Sequence, residues 1–386
     1  MTRRLLLHSG SVLDVSSGEV RAADVVLVDD RIVDIGTGLD GDGGIDCSGG
    51  LLLPGLIDCH THVCTAETRR DPFGLPRSVR PLSAVPVLRT LLSLGVTTVR
   101  DAWGADAGVR LAVEKGWIDG PEVLVSLRQV GTTGAIGDLW SPRTGPIDFF
   151  DDPSMPDPIF NGADGARTVV RRMVRAGADW IKVTATGSMA IGTGVHDLQL
   201  TFDELSALVD EARRRGDRRV MVHAHGARAI ELAARAGAAS VEHGTYLDEA
   251  AAGAMAEAGT WLVPTLSVSQ SDPESVPDGA AEAHRESMRI AIDAGVQIAM
   301  GTDNPVRPHT EVLWELKHLA AAGLGDAGAL RAATIDAARL LRLDDDRGEI
   351  AVGKRGDLVL LAGTDLDCAS LEHRIRKVFC NGRQVR

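Results

Sequence analysis

The sequence predicts an α/β chain: a (β/α)8 barrel of the TIM type, with a small β-sandwich domain made from the two chain ends. Three observations carry that prediction. Eight short apolar runs alternate with longer amphipathic stretches from Leu53 onward, the sequence form of repeated βα units. Strand-like patterns flank this region on both sides. The length, 386 residues, suits one large barrel plus an appendage.

Residues 1 to about 53 read as short strands separated by turns. Val25–Val28 and Arg31–Ile35 flank Asp29-Asp30, a hairpin turn, and Gly41–Gly44 is another break. The eight apolar runs follow: Leu53–Asp58, Val96–Arg100, Glu122–Ser126, Trp180–Thr184, Val220–Ala224, Ser240–His243, Trp261–Thr265 and Gln297–Met300. Helical patterns lie between most of them. Thr201-Phe-Asp-Glu204 is a capping box opening a helix through Glu211. Gly226–Ala236 has apolar residues at helical spacing and stops at Gly237. Thr144–Gly165, rich in Pro, Asp and Gly, reads as a long loop after the third strand, a lid or substrate wall. Past Leu343 strands return, with Gly348–Gly353 and Asp357–Leu361 as a hairpin and Ile375–Cys380 as a further strand. The expected division is 1–53 with 349–386 as the composite β-sandwich domain, and 54–348 as the barrel domain.

Composition excludes several classes. Fifty-four acids against 41 bases give a net charge of −13. Nucleic-acid and membrane-surface binders normally present a basic face, so neither partner is expected. Six Trp, one Tyr and six Phe leave little for a stacking surface. No apolar stretch approaches a membrane span, and the first residues lack the apolar core of a secretory signal. Five cysteines, an odd number without a CxxC pair, fit a reducing cytoplasmic compartment.

Only five of the basic residues are lysines, and one of them, Lys182, lies inside the apolar run Trp180-Ile-Lys-Val-Thr184. Arginine could supply surface charge, but not amine chemistry. His60 and His62 end the first run two residues apart, so a strand puts both rings on one face, where they can chelate one ion. Lys182 ends the fourth run, His223 the fifth, His243 the sixth, and Asp303 follows the eighth. In a (β/α)8 barrel, strand C-termini carry the active residues. A lone histidine at a strand end is more often hydrogen-bonded structure, the role expected of His8, His284, His309, His318 and His373. Asp101 is expected to belong to a structural ion pair. Strand alternation turns Cys59 away from the ligands toward the core, and Cys64 is left open.

Leu53-Pro-Gly-Leu-Ile-Asp-Cys-His-Thr-His62 resembles the first-strand signature of the amidohydrolase superfamily. Gly95–Asp101, Ala178–Lys182, Val222-His-Ala-His-Gly226, Val241-Glu-His-Gly244 and Met300-Gly-Thr-Asp303 are similar to the branch holding imidazolonepropionase-like proteins and prolidase-like dipeptidases. The resemblance covers nearly the whole chain, in order. It implies two divalent ions, zinc in most members, sharing a bridging hydroxide. His60, His62 and Asp303 would bind the more buried ion and His223 and His243 the other, with carboxylated Lys182 bridging both. Spacing does not separate His223 from His225. Related barrels use the first of such a pair, which implies His223 and leaves His225 beside the metals or facing the substrate.

The chemistry implied is hydrolysis of an amide bond in a dipeptide or N-acyl amino acid, with Asp303 as general base and then acid. A lactone, carbamate or cyclic imide would suit the same site. A deaminase fits less well, because mononuclear deaminases lack the bridging lysine, and a non-catalytic scaffold would have lost ligands that are all present here. One departure from prolidase-like relatives stands out. Where they carry Gly-Gly-His-Gly-Asp, this chain reads Thr133-Gly-Ala-Ile-Gly-Asp138, with Ile136 in place of the histidine. His225 or His196 is the candidate to compensate at a small-molecule substrate. Barrels of this family often pair, which leaves a homo-oligomer open.

Overall fold

The structure, a computed structural model, describes residues 4–65, 75–148, 152, 154–189 and 194–386. Its first strands are β1 (Arg4–Leu13), β2 (Val20–Val28), β3 (Arg31–Gly36), β4 (Gly43–Asp46) and β5 (Gly50–Pro54). The Asp29-Asp30 hairpin forms as expected, with β2 and β3 antiparallel. Then come β6 (Leu56–Thr61), β7 (Val96–Asp101), β8 (Glu122–Val125), β9 (Gln129–Val130), β10 (Leu139–Ser141) and β11 (Gly145–Ile147). The last strands are β12 (Trp180–Thr184), β13 (Arg219–Gly226), β14 (Ser240–Tyr246), β15 (Trp261–Val263), β16 (Leu358–Ala362), β17 (Ile375–Cys380) and β18 (Arg383–Gln384).

The two chain ends meet in one eight-stranded sheet, ordered β18-β17-β16-β5-β1-β2-β3 with β4 on β1. Its central leucine run is buried on both faces, and strand alternation sorts it. Leu52, Leu358 and Leu360 join Leu7, Val25 and Phe379 in a small core, whereas Leu51, Leu53, Val359 and Leu361 join the main one.

The remaining parallel strands form a ring. β6, β7 and β8 pair in order, and β9 pairs with β12, which continues through β13 and β14 to β15. The Asp179 amide donates to Val125 O at 2.8 Å and bridges the two sets. The eighth run bonds on both sides: Leu262 N to Gln297 O (2.8 Å), Cys59 N to Met300 O (2.9 Å), and Asp303 N to His60 O (2.7 Å). Hydrogen bonds thus return to β6. Helices alternate with these strands. They include α1 (Val79–Ser93), α2 (Ala107–Glu114), α3 (Gly162–Arg175), α4 (Phe202–Arg214), α5 (Ala227–Arg235) and α6 (Glu249–Ala258). In α3, Ala166, Val169, Val170 and Met173 are buried at helical spacing. The Thr201 capping box opens α4, which runs three residues past Glu211 to Arg214.

Four expectations need correction. The first run divides at Gly55, because Pro54 closes β5 and β6 starts afresh at Leu56. Gly348–Gly353 is a turn and not a hairpin strand: Gly348 and Gly353 have φ of 95° and 90°, and Gly353 N bonds Ile32 O. The stretch 144–165 holds β11, antiparallel to β10, and the start of α3, while 149–151 and 153 lie outside the described residues. The eighth run is irregular in spite of its bonds. Among the described residues no helix is long and apolar enough to cross a membrane.

Candidate metal centre

The histidines lie in or directly after strands, His60, His62 and His225 past the apolar runs that announce those strands and His223 and His243 within them. His60 is in β6, His223 and His225 in β13, and His243 in β14, while His62 follows β6 directly. The first group forms where β6 meets the chain around Gly301. A Cβ on Gly301 would stand 2.3 Å from Val263 Cγ1 and 2.8 Å from His60 Cβ, so only glycine lets the two segments touch. Buried Asp58 staples the same contact, accepting from His60 N (3.0 Å), Thr302 N (3.2 Å) and Thr302 Oγ1 (2.7 Å). Asp303 then turns in with a left-handed φ of 57°. Its Oδ1 lies 2.8 Å from His62 Nε2 and 3.3 Å from His60 Nε2.

The second group faces the first. Lys182 Nζ is 3.5 Å from His60 Nε2 and essentially buried. The rings of His223 and His243 are 4.5 Å apart, and His225 stacks on His243 at 5.0 Å and 17°. Ligating atoms of His223, His225 and His243 lie within 4.8 Å of one another, as do those of His60, His243 and Asp303. The structure therefore brings together all six residues expected as ligands, and it adds His225 to the cluster.

Fixed partners decide which ring nitrogen stays available. His62 donates Nδ1–H to Trp103 O (3.1 Å), and His223 donates Nε2–H to Gly187 O (3.0 Å). The Nδ1 atoms of His225 and His243 meet the hydroxyls of Thr245 (2.9 Å) and Thr265 (2.8 Å). His60 Nδ1 lies 2.6 Å from Glu242 Oε2. That leaves Nε2 of four rings and Nδ1 of His223 as the atoms a cation could use, those of His60 and His62 lying against Asp303. Burial lowers the Lys182 amine to about 8. Burial, and then the charge of Lys182, depress His223 to about 3, and burial keeps His225 and His243 neutral as well. Burial opposes the Asp303 charge, but hydrogen bonds from His60 and His62 outweigh it and hold the carboxyl well below its usual range. Imidazoles, a carboxylate and an amine of lowered pKa converging in a buried space fit divalent cations.

Other candidates stand further out. His196 packs on Tyr246 with centroids 4.6 Å apart, beside Gly226 at the end of β13. Ile136 is half-buried on the turn after β9, next to buried Ala135. Cys59 packs in an apolar cluster with Ala337 and Leu341, and Cys64 lies in the main core. Among the described residues Asp101 forms no ion pair: it accepts from Val63 N (2.8 Å) and Ala105 N (3.0 Å), because Arg100 points to the opposite face of β7. Two of the structural histidines lean on the site, His284 through the His243 carbonyl (3.0 Å) and His309 through the His62 backbone. Sequence reasoning passed over Asp58, Glu242, Arg100, Thr245 and Thr265. For Asp58, Arg100, Glu242 and Thr245 the signal was a polar residue buried within a strand, whereas Thr265 lies in the turn after β15.

Residues 51–385 match the model of the Amidohydrolase family. The ochratoxinase of Aspergillus niger is 31% identical over 313 residues, covering 74% of this chain. That match spans 65% of the ochratoxinase's own length. The imidazolonepropionase of Mesorhizobium japonicum is 30% identical, over 82% of this chain and 78% of its own. A crystal structure of a Xaa-Pro dipeptidase with methionine bound in its active site superposes with a TM-score of 0.87 at 30% identity, covering 99% of both chains. The chain belongs to the amidohydrolase family.

Proposed function

We propose that this chain is a metal-dependent hydrolase that cleaves a carbon–nitrogen amide bond in a small substrate, a dipeptide or N-acyl amino acid. The observation carrying the reading is the convergence of His60 Nε2, His62 Nε2 and Asp303 Oδ1 opposite the His223–His243 pair, with the Lys182 amine 3.5 Å from His60. In this reading the ring of parallel strands is a (β/α)8 barrel spanning 54–348, and the end sheet, 1–53 with 349–386, folds over as a β-sandwich. Five free, buried cysteines support a reducing, cytoplasmic setting.

His60, His62 and Asp303 would hold one ion, His223 and His243 the other, with Lys182 between them as its carbamate. Lowered to about 8, the Lys182 amine has a neutral fraction able to attack carbon dioxide; the N–C bond forms and the amine proton leaves. Two divalent cations, zinc in the simplest case, supply water activation and carbonyl polarisation when bound. Asp303, the more exposed partner of buried His60, is placed to take a proton from the attacking water and hand it to the leaving amine. His225, His196 and Ile136 are the residues to test for substrate contact. The dipeptidase found among similar structures supports the choice of substrate class.

The test is amine release from a library of dipeptides and N-acyl amino acids by protein loaded with zinc and bicarbonate. Cleavage with a side-chain preference is the expected result. Silence from protein that holds two metals would overturn the amide assignment and leave lactones and carbamates.

A further inference from the structure

Each histidine of the centre uses one ring nitrogen to hold the protein, and the acceptors are not equivalent. Four meet neutral groups, the Trp103 and Gly187 carbonyls and the Thr245 and Thr265 hydroxyls. His60 instead turns its Nδ1 on a carboxylate, Glu242, at 2.6 Å. The other oxygen of Glu242 accepts from Arg100 at 2.9 Å and from the Ser240 hydroxyl. Both oxygens of Glu242 are thus engaged by protein donors. Arg100 also donates to Cys59 O at 2.6 Å and lies 4.5 Å over the Trp180 ring, so one guanidinium on β7 ties β6, β12 and β14 together. Arg100 and Glu242 are completely buried.

We propose that the Arg100–Glu242 pair is the positioning element of the metal centre: it fixes His60 with Nδ1 protonated and Nε2 toward Lys182 and Asp303, and so makes the His60–His62–Asp303 position the tighter of the two cation positions. The inference rests on the metal-dependent reading above. A carboxylate behind an imidazole orients the ring and strengthens it as a donor more than a neutral hydroxyl does. Stability alone accounts poorly for the pair, because desolvation offsets most of the attraction in a fully buried ion pair. Its placement under one ligand follows from what it does to that ligand.

The experiment is a zinc titration of metal-stripped protein against a competing chelator, for wild type, Glu242→Gln and the double variant Arg100→Gln/Glu242→Gln. The double variant removes both charges of the pair together, so neither partner is left as an unpaired buried charge. Two binding steps are expected in wild type. In the variants the tighter step should weaken about 10- to 100-fold while the weaker step holds. A folded double variant that titrates like wild type would overturn the proposal. Nitrogen-15 spectra of histidine-labelled, metal-free wild type decide the tautomer without any variant: Nδ1–H at His60 is expected, and Nε2–H would refute the positioning role. Wild type that binds no zinc would instead defeat the metal-dependent reading itself.

Discussion

The Nδ1 of His243 lies 2.8 Å from the Thr265 hydroxyl, and both residues hold left-handed backbone, with φ of 75° and 53°. Non-glycine residues rarely occupy that region, least of all a β-branched threonine, and such strain persists only where the surroundings enforce it. The enforcement is visible one residue on. Buried Glu315 accepts from Leu266 N and Ser267 N, each at 2.7 Å, and so clamps the turn carrying Thr265. Thr265→Val should release the His243 ring. The expected result is roughly 10- to 100-fold weaker zinc binding at the His223–His243 position, with the other position held. Step-resolved zinc titration checks this, and the step affected is the opposite of that expected for Glu242→Gln.

Glu315 makes a separate prediction about pH. Burial pushes its carboxyl up to about 7 from 4.5, against the pull of the two amide hydrogen bonds. The folded chain then binds this proton more tightly than the unfolded chain. Its contribution to stability is full below about pH 4.5 and is lost as pH rises through about 7. Glu315→Gln abolishes the titration, so the stability lost through the substitution should be larger at pH 5 than at pH 8. The difference should approach about 1.4 kcal/mol for each pH unit between the two pKa values. Urea unfolding of both proteins across that range measures it.

Gly301→Ala tests the contact that brings Asp303 to the histidines. The added methyl would meet Val263 and the His60 backbone N, the latter at 3.0 Å. A cost of about 1–3 kcal/mol is expected from overpacking. Loss of metal affinity should accompany it, because β6 and the Asp303 turn must separate. Chemical denaturation and metal analysis of one preparation read both.

Asp303→Asn keeps the shape of the side chain and removes the charge that His60 and His62 share. Proton transfer at this position should be worth about 10²- to 10⁴-fold in turnover of the proposed amide hydrolysis. A variant that retains both metals and near-wild-type kcat would remove Asp303 from the proton-transfer role.

Much of this was legible in the sequence, for reasons specific to particular residues. Strand periodicity puts His60 and His62 on one face whatever surrounds them. A lone lysine inside the apolar run Trp180–Thr184 is costly to bury, which marks its amine for chemistry rather than for surface charge. Strand ends were harder to read. Apolar runs stop at Asp58, Ala224 and His243, yet β6, β13 and β14 continue to Thr61, Gly226 and Tyr246, because buried hydrogen-bonded polar groups extend a strand as well as apolar ones. Glu242 was out of reach for another reason. Its meaning depends on Arg100, 142 residues away in sequence, and on a ring closure that sets β7 within reach of β14. Asp101 misled for a related reason, since sequence does not say whether an acid beside an arginine pairs with it or with amides. Gly348–Gly353 shows the limit of alternation as a strand signal, because its glycines hold positive φ and its backbone is anchored to Ile32.

Native mass spectrometry of the folded chain after incubation with zinc and bicarbonate bears most directly on the proposed two-metal centre. The expected mass is that of the chain plus two zinc ions and one carbon dioxide, with the carbon dioxide lost in Lys182→Arg. A chain that takes up no zinc, or the same carbon dioxide adduct on the Lys182→Arg protein, would contradict it.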